Sequence, residues 1–190
     1  PTGSYAFQFE VSAGQVGIAV VPNINGIGFT ITWQDGTSQL ISAAQTNLQS
    51  PTTQAGIISI NKETDTGFCD DFSIASGEEF VTKVISWGEN PWNRLVAAFD
   101  NCTNLTSVSE TSLITDSLGN LAATFKDCTG LTEAVCNNWN LSAGSTISDI
   151  FNGCTNLTKL DFTGVNIKIS GSSARSFLSV GSTTTDGCEF

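Results

Sequence analysis

Three segments of this chain repeat one another at a fixed interval of 26 residues, and that interval limits the fold more than any other feature. Cys102, Cys128 and Cys154 stand 26 apart, as do Phe99, Phe125 and Phe151, and Leu105, Leu131 and Leu157. The units read Leu95-Val-Ala-Ala-Phe-Asp-Asn-Cys-Thr-Asn-Leu-Thr106, Leu121-Ala-Ala-Thr-Phe-Lys-Asp-Cys-Thr-Gly-Leu-Thr132 and Ile147-Ser-Asp-Ile-Phe-Asn-Gly-Cys-Thr-Asn-Leu-Thr158. A fourth copy starts in register at Phe177, but Val180 takes the cysteine position and Thr183 the leucine position, so the array fades toward its carboxyl end. A unit this small cannot bury its own apolar face, so neighbours must stack into a shared core.

Within each unit the apolar residues fall at helical spacing. Leu95, Ala98, Phe99 and Cys102 are predicted to share one face of a short helix. A turn follows, then an extended segment such as Leu105 to Val108, then a second apolar position at Leu113, Trp139 and Val165, again 26 apart. The period lies within the ~20 to 29 residues of leucine-rich repeats. Residues 81–190 are therefore expected to form a short leucine-rich-repeat solenoid of three to four units.

Upstream, the period changes to two. Tyr5, Phe7, Phe9 and Val11 alternate with Ala6, Gln8 and Glu10, and Phe29, Ile31 and Trp33 alternate with Thr30 and Thr32, as half-buried strands do. Ala13-Gly14, Asn25-Gly26 and Asp35-Gly36 punctuate these runs, and Asp35 with Gly36 is read as a hairpin turn whose residues tolerate positive φ. Val16 to Val21, Ser38 to Ile41, Gly56 to Ile60 and Phe72 to Ala75 complete a set of about seven short strands. Residues 1–80 thus read as a small β-sandwich that caps the open end of the array. The whole chain is expected to be mainly β with short helices.

Composition narrows the chemistry. The 190 residues carry 7 basic and 18 acidic side chains and no histidine, and residues 1–61 contain no Lys or Arg. A nucleic-acid partner requires a basic stripe and is not expected. Without histidine, Ser-His-Asp and Cys-His pairs and the common zinc and facial-triad iron sites cannot be built. No paired acids stand out from the others, and no phosphate loop or nucleophile elbow occurs, so the chain is read as a non-enzyme without a cofactor. Charged residues make up 13%, against ~25% in an average chain, with Ser, Thr, Asn and Gly in their place, which suits an extracellular or particle-bound surface. No apolar run approaches the ~20 residues of a membrane span. The start, Pro1-Thr-Gly-Ser4, lacks the marks of a signal peptide and resembles a chain trimmed of its initiator methionine, although a matured export product would look the same.

Of the 6 cysteines, Cys102, Cys128 and Cys154 are expected to form a column of reduced, buried thiols. Cys69, Cys136 and Cys188 lie outside that column, and the sequence leaves a bond among them open. Asp65, Asp70 and Asp71, near Glu78 and Glu79, are the candidate oxygen ligands for a calcium ion, but their spacing matches no EF-hand and a solvated acidic loop explains them as well. Asn101, Asn104, Asn140 and Asn156 open Asn-x-Ser/Thr sequons; turn chemistry explains most of them better than glycosylation does.

The Phe-x-x-Cys-Thr-x-Leu-Thr units resemble the BspA-like leucine-rich repeats of bacterial surface proteins. Phe29-Thr-Ile-Thr-Trp-Gln-Asp-Gly-Thr37 is similar to the Trp-Gly-Asp-Gly-Thr signature of PKD-like sandwiches, with Gln34 in place of the usual Gly. Val84-Ile-Ser-Trp-Gly88 with Trp92 is similar to the linker leading into the first repeat, and Gly130 departs from the repeat pattern, which has Asn there. The resemblance implies a phage virion structural protein, namely a capsid decoration protein, head fibre or tail-associated adhesin, made in the host cytoplasm and carried on the virion. The alternative it implies is the ectodomain of a bacterial surface adhesin. Expected partners are other virion or surface proteins, a host-surface glycan or protein, or further copies of the chain.

Overall fold

The computed structural model describes residues 6–21, 28–62, 69–88, 92–109, 111–141 and 145–165. Among these residues the fold is mainly β. Twelve strands run in chain order: β1 Phe7–Val11, β2 Gly17–Val21, β3 Phe29–Thr32, β4 Ser38–Ile41, β5 Gln45–Gln49, β6 Gly56–Lys62, β7 Cys69–Ser76, β8 Val81–Trp87, β9 Trp92–Arg94, β10 Thr115–Asn120, β11 Glu133–Val135 and β12 Lys159–Asp161.

The strands form two five-stranded sheets, ordered β4-β3-β6-β1-β8 and β10-β9-β7-β2-β5, and a small parallel pair, β11-β12. Alternation builds the first sheet: Phe7, Phe9 and Val11 are buried, and so are their register partners Ile60, Ile58, Trp87 and Val84. Across the core, Phe7 of β1 meets Phe72 of β7 edge-on at 4.9 Å, and Phe9 meets the same ring at 5.7 Å. Rings at these separations contribute roughly 0.5–1.5 kcal/mol per pair beyond the area they bury. Strand β5 has no signal in the sequence because Gln45-Thr-Asn-Leu-Gln49 is polar; it lies at a sheet edge, where most of its side chains are exposed.

The hairpin between β3 and β4 corrects one expectation. Gly36 alone takes positive φ, at 83°, while Asp35 does not. The Gly36 N–H donates to the Trp33 carbonyl at 2.9 Å and the Trp33 N–H to the Thr37 carbonyl at 2.9 Å, the bonds of a three-residue loop closed by a left-handed glycine. Asp35 acts through its side chain: Oδ1 accepts the Thr37 N–H at 2.9 Å and the Thr37 hydroxyl at 2.7 Å.

The second correction concerns the helices. No α-helix occurs among the described residues; one 3-10 turn, Glu78–Phe80, is the helical element, and the segments expected to be helical are runs of turns. Their bonding explains why. Within the first unit the Ala98, Asp100 and Cys102 N–H groups donate three residues back, to the Leu95, Ala97 and Phe99 carbonyls. The intervening N–H groups of Leu95, Ala97, Phe99 and Asn101 donate instead to Asn120, Ala122, Thr124 and Lys126 of the next unit, at 2.8 to 3.0 Å. Leu121, Ala123, Phe125 and Asp127 repeat this toward Thr146, Ser148, Ile150 and Asn152. An α-helix would consume those donors internally and leave adjoining units without backbone bonds. Apolar spacing of three and four residues fits successive turns as well as a helix, so Leu95, Ala98, Phe99 and Cys102 are all buried regardless.

Such alternation requires left-handed residues. Ala97, Ala123 and Asp149 have φ of 52°, 57° and 57°, and Asn101, Asp127 and Gly153 have 61°, 57° and 81°. Each position recurs every 26 residues. A non-glycine residue in this region costs about 1–2 kcal/mol, which four inter-unit bonds at roughly 0.5–1.5 kcal/mol each offset. At Gly130, the departure from the repeat pattern, a Cβ would meet the Thr103 carbonyl oxygen at 2.4 Å, so the backbones approach too closely there for a side chain.

Sandwich and repeats share hydrogen bonds and core. The boundary expected between residues 80 and 81 falls at the start of β8, which pairs with β1 on one side and bridges from Lys83 to Ser107 on the other. From there the ladder continues in parallel through Ser107 to Glu133 and on to Lys159. In the other sheet β7 pairs with β9, and β9 with β10. The buried residues of both parts form one hydrophobic cluster. The Phe177 copy and the carboxyl end lie outside the described residues.

The turn geometry is open to a sign test. Glycine at a helical position costs about 0.5–1 kcal/mol, whereas at positive φ it relieves about 1 kcal/mol of strain. Ala123→Gly is therefore expected to raise the denaturant midpoint, or leave it unchanged, and Ala123→Val to lower it. A fall of 1 kcal/mol or so for Ala123→Gly would mean that the segment is helical.

Candidate functional site: the stacked face of the repeats

The repeat positions singled out from the sequence lie together, inside. Phe99, Phe125 and Phe151, Cys102, Cys128 and Cys154, and Leu105, Leu131 and Leu157 are all at 0% exposure, so none can touch a ligand. Phe99 and Phe125 stack at 5.7 Å with 3° between ring planes, and Phe125 and Phe151 at 5.3 Å with 9°. Phe72 lies below the column against Phe99 at 5.8 Å, and Phe162 meets Phe151 at 6.2 Å. Trp87, in the segment that resembles the linker leading into the first repeat, touches both Phe99 and Phe125.

The thiols beside this column are free and bonded in order. Cys128 Sγ donates to the Phe99 carbonyl and Cys154 Sγ to the Phe125 carbonyl, each at 3.0 Å. Burial pushes the Cys102, Cys128 and Cys136 thiols well above the ordinary cysteine range, with Glu78 adding to the effect at Cys102 and Asp161 at Cys136. A nucleophile or metal ligand must be a thiolate, so these groups are held in the unreactive form. Cys136 is a free, buried thiol; the side chain of Cys69 and the whole of Cys188 lie outside the described residues.

Of the acidic candidates, Asp71 alone has its side chain among the described residues. Asp65 and the Asp70 side chain lie outside the described residues. Asp71 pairs with Arg94 at 3.4 Å across β7 and β9, its register partner in that sheet. Among the described residues no group of three or more carboxylates and thiols is placed to hold a metal ion. Hydrogen bonds from Thr37 hold the Asp35 carboxyl below its ordinary value, and Thr163 does the same for Asp161. Desolvation raises Asp100, whose Oδ1 is buried without a hydrogen bond and has Lys126 Nζ at 3.9 Å.

What faces solvent is a set of polar columns. Thr106, Thr132 and Thr158 form one exposed row, and Thr103, Thr129 and Thr155 a second, partly covered at Thr129. Asn104 and Asn156 are exposed between them. These side chains also bond along the stack: the Thr106 and Thr158 hydroxyls donate to the Thr82 and Thr132 carbonyls at 3.1 Å. Asn104 Nδ2 donates to the Glu79 carbonyl at 2.7 Å and Asn156 Nδ2 to the Thr129 carbonyl at 2.8 Å. Two of the sequon asparagines thus serve the stack with the atom that glycosylation would use. Both threonine rows were present in the repeat units, but a period shows only that positions are equivalent, and exposure had to come from the fold. The rows are uncharged, their side chains are held by the layer beneath, and they run beside the exposed Lys159–Glu133 pair, an arrangement suited to non-covalent contact over several units.

Comparison with protein-family models, with curated proteins and with solved structures yields no match.

The thiol column has a chemical signature. Alkylation of the native protein at mildly alkaline pH is expected to leave Cys102, Cys128, Cys136 and Cys154 unmodified, and peptide mass spectrometry after denaturation should find all of them labelled. Rapid native labelling of Cys128 or Cys154 would contradict the bonded, buried column.

Proposed function

We propose that the chain is a non-enzymatic attachment or display protein of a phage virion: a PKD-like sandwich carrying a short BspA-like leucine-rich-repeat solenoid. The observation that carries the proposal is the division of roles within each repeat. Thiols, aromatic rings and leucines are spent on the interior, while recurring Thr and Asn side chains form ordered, uncharged rows on an exterior that also carries the Lys126–Asp127 and Lys159–Glu133 pairs. An enzyme needs titratable groups converging on a cleft with their proton affinities set apart. A display scaffold needs a stiff body and a repeated contact surface. The mechanism is multivalent: contacts that are weak for one copy add through effective concentration when many copies stand on one particle.

Partners of this kind are coat or fibre proteins on one side and a surface protein or glycan on the other. The net charge of -11 disfavours polyanionic surfaces. The sandwich end, with its uncharged edge, serves as the anchor and the repeats face outward. Mass spectrometry of washed virions from the source is expected to find the chain among the particle proteins. Its absence from virions together with its presence in cell-envelope fractions would replace this function with that of a bacterial surface adhesin.

A further inference from the structure

One row of side chains crosses the ladder that joins sandwich to repeats. Glu10 of β1 is the register partner of Lys83 in β8, Lys83 bridges to Ser107, Ser107 to Glu133, and Glu133 pairs with Lys159. Register partners point to the same face of a sheet. Their chain neighbours Phe9, Val84, Val108, Ala134 and Leu160 are buried, so the row itself faces outward. It is open to solvent: Lys83 is exposed, and the Glu133 and Lys159 side chains keep 46% and 58% of their surface. Strand spacing sets its members ~4.8 Å apart.

Along the row the charges run minus, plus, neutral, minus, plus. They sum to zero within a chain of net charge -11, so neither a polyanion nor a polycation meets a uniform field here. The pattern changes sign about its centre. A half turn about an axis along the strand of Ser107 sets Glu10 against Lys159 of a second copy, Lys83 against Glu133, and Ser107 against itself. A twofold interface demands such reciprocity, because whatever residue i meets in j, j meets in i. A half turn about the row itself would set Glu10 on Glu10 and Lys83 on Lys83, which like charge opposes. Farther along the strands the match recurs with apolar groups. Ser109 Oγ donates to the Ile85 carbonyl at 2.7 Å on one side, and the equivalent position on the other side is Val135. Ile85 and Val135 are both half-buried, and the same axis sets one against the other.

We propose that a second copy of the chain docks face to face on this row, with Glu10 opposite Lys159 and Lys83 opposite Glu133 on both sides of a twofold axis. Twisted sheets pack in this manner at about 30° to each other. Within one chain an exposed pair such as Lys159 and Glu133, at 3.2 Å, adds little to the fold. The same charges interact more strongly once a second face excludes water from them.

Sedimentation equilibrium of the full chain at low salt, where surface charge is least screened, tests this. For so polar a face a dissociation constant of ~10–100 μM is expected. Lys83→Glu and Glu133→Lys should each weaken it at least ~10-fold by setting like charges across the axis. One substitution makes the chain more acidic and the other less, so general repulsion between copies would weaken the first dimer and strengthen the second. The double variant restores opposite charges between copies while leaving like charges side by side within each chain, next to Glu10 and Lys159. Its dimer should return to within about threefold of the wild type. Both positions lie on the surface, so the variants keep the fold, which circular dichroism verifies. A wild type that stays monomeric through ~1 mM overturns the proposal, as does a Glu133→Lys dimer as tight as the wild type or a double variant as weak as the single ones.

Discussion

The alternate backbone N–H groups of each repeat, donated to the carbonyls of the next, are the interaction on which the rest of this structure depends. Four such bonds join the first unit to the second and four the second to the third. They fix the distance between layers at the spacing of hydrogen-bonded strands, ~4.8 Å. At that spacing Phe99, Phe125 and Phe151 stack nearly parallel, and the Cys128 and Cys154 thiols reach the carbonyls of the unit before them. The left-handed conformations of Ala97 and Ala123 are what the bonds cost. A helical packing would avoid that strain, but it would also break the ladder that joins repeats to sandwich.

The same ladder makes the sandwich a foundation layer. Strands β7 and β8 belong to its two sheets, yet the Ile74 N–H donates to the Ala98 carbonyl and Thr82 accepts from the Thr106 N–H, as one repeat does for another. Phe72 and Trp87 extend the aromatic column into the sandwich core, where Phe7 and Phe9 meet it. Interior and exterior are divided along the whole length. Reactive groups are buried and neutral, and the exposed rows are threonine and asparagine tied to the layer below.

Local patterns carried much of this into the sequence. Alternation marked β1 and β3, the Asp35-Gly36 pair marked a hairpin, and the 26-residue interval marked which side chains are equivalent. The turn runs were read as helices because spacings of three and four residues satisfy both geometries, and alanine gives no sign that it sits at positive φ. Asn101, Asp127 and Gly153 did give that sign, since all three residue types tolerate the left-handed region. Strand β5 was invisible because an edge strand needs few apolar residues. A linker could be placed at Val84 to Gly88 by resemblance, but the hydrogen bonding of the join could not be read: β8 pairs with β1, 70 to 80 residues away, and no local pattern encodes such a contact.

The central claim is that sandwich and repeats form one hydrogen-bonded, singly cored body. Differential scanning calorimetry tests it most directly, because a body that shares its core and its ladder must unfold as a unit. One transition is expected, with calorimetric and van't Hoff enthalpies in a ratio of about 1. Two resolved transitions, or a ratio near ~2, would contradict it and mean that the repeats and the sandwich are stable independently.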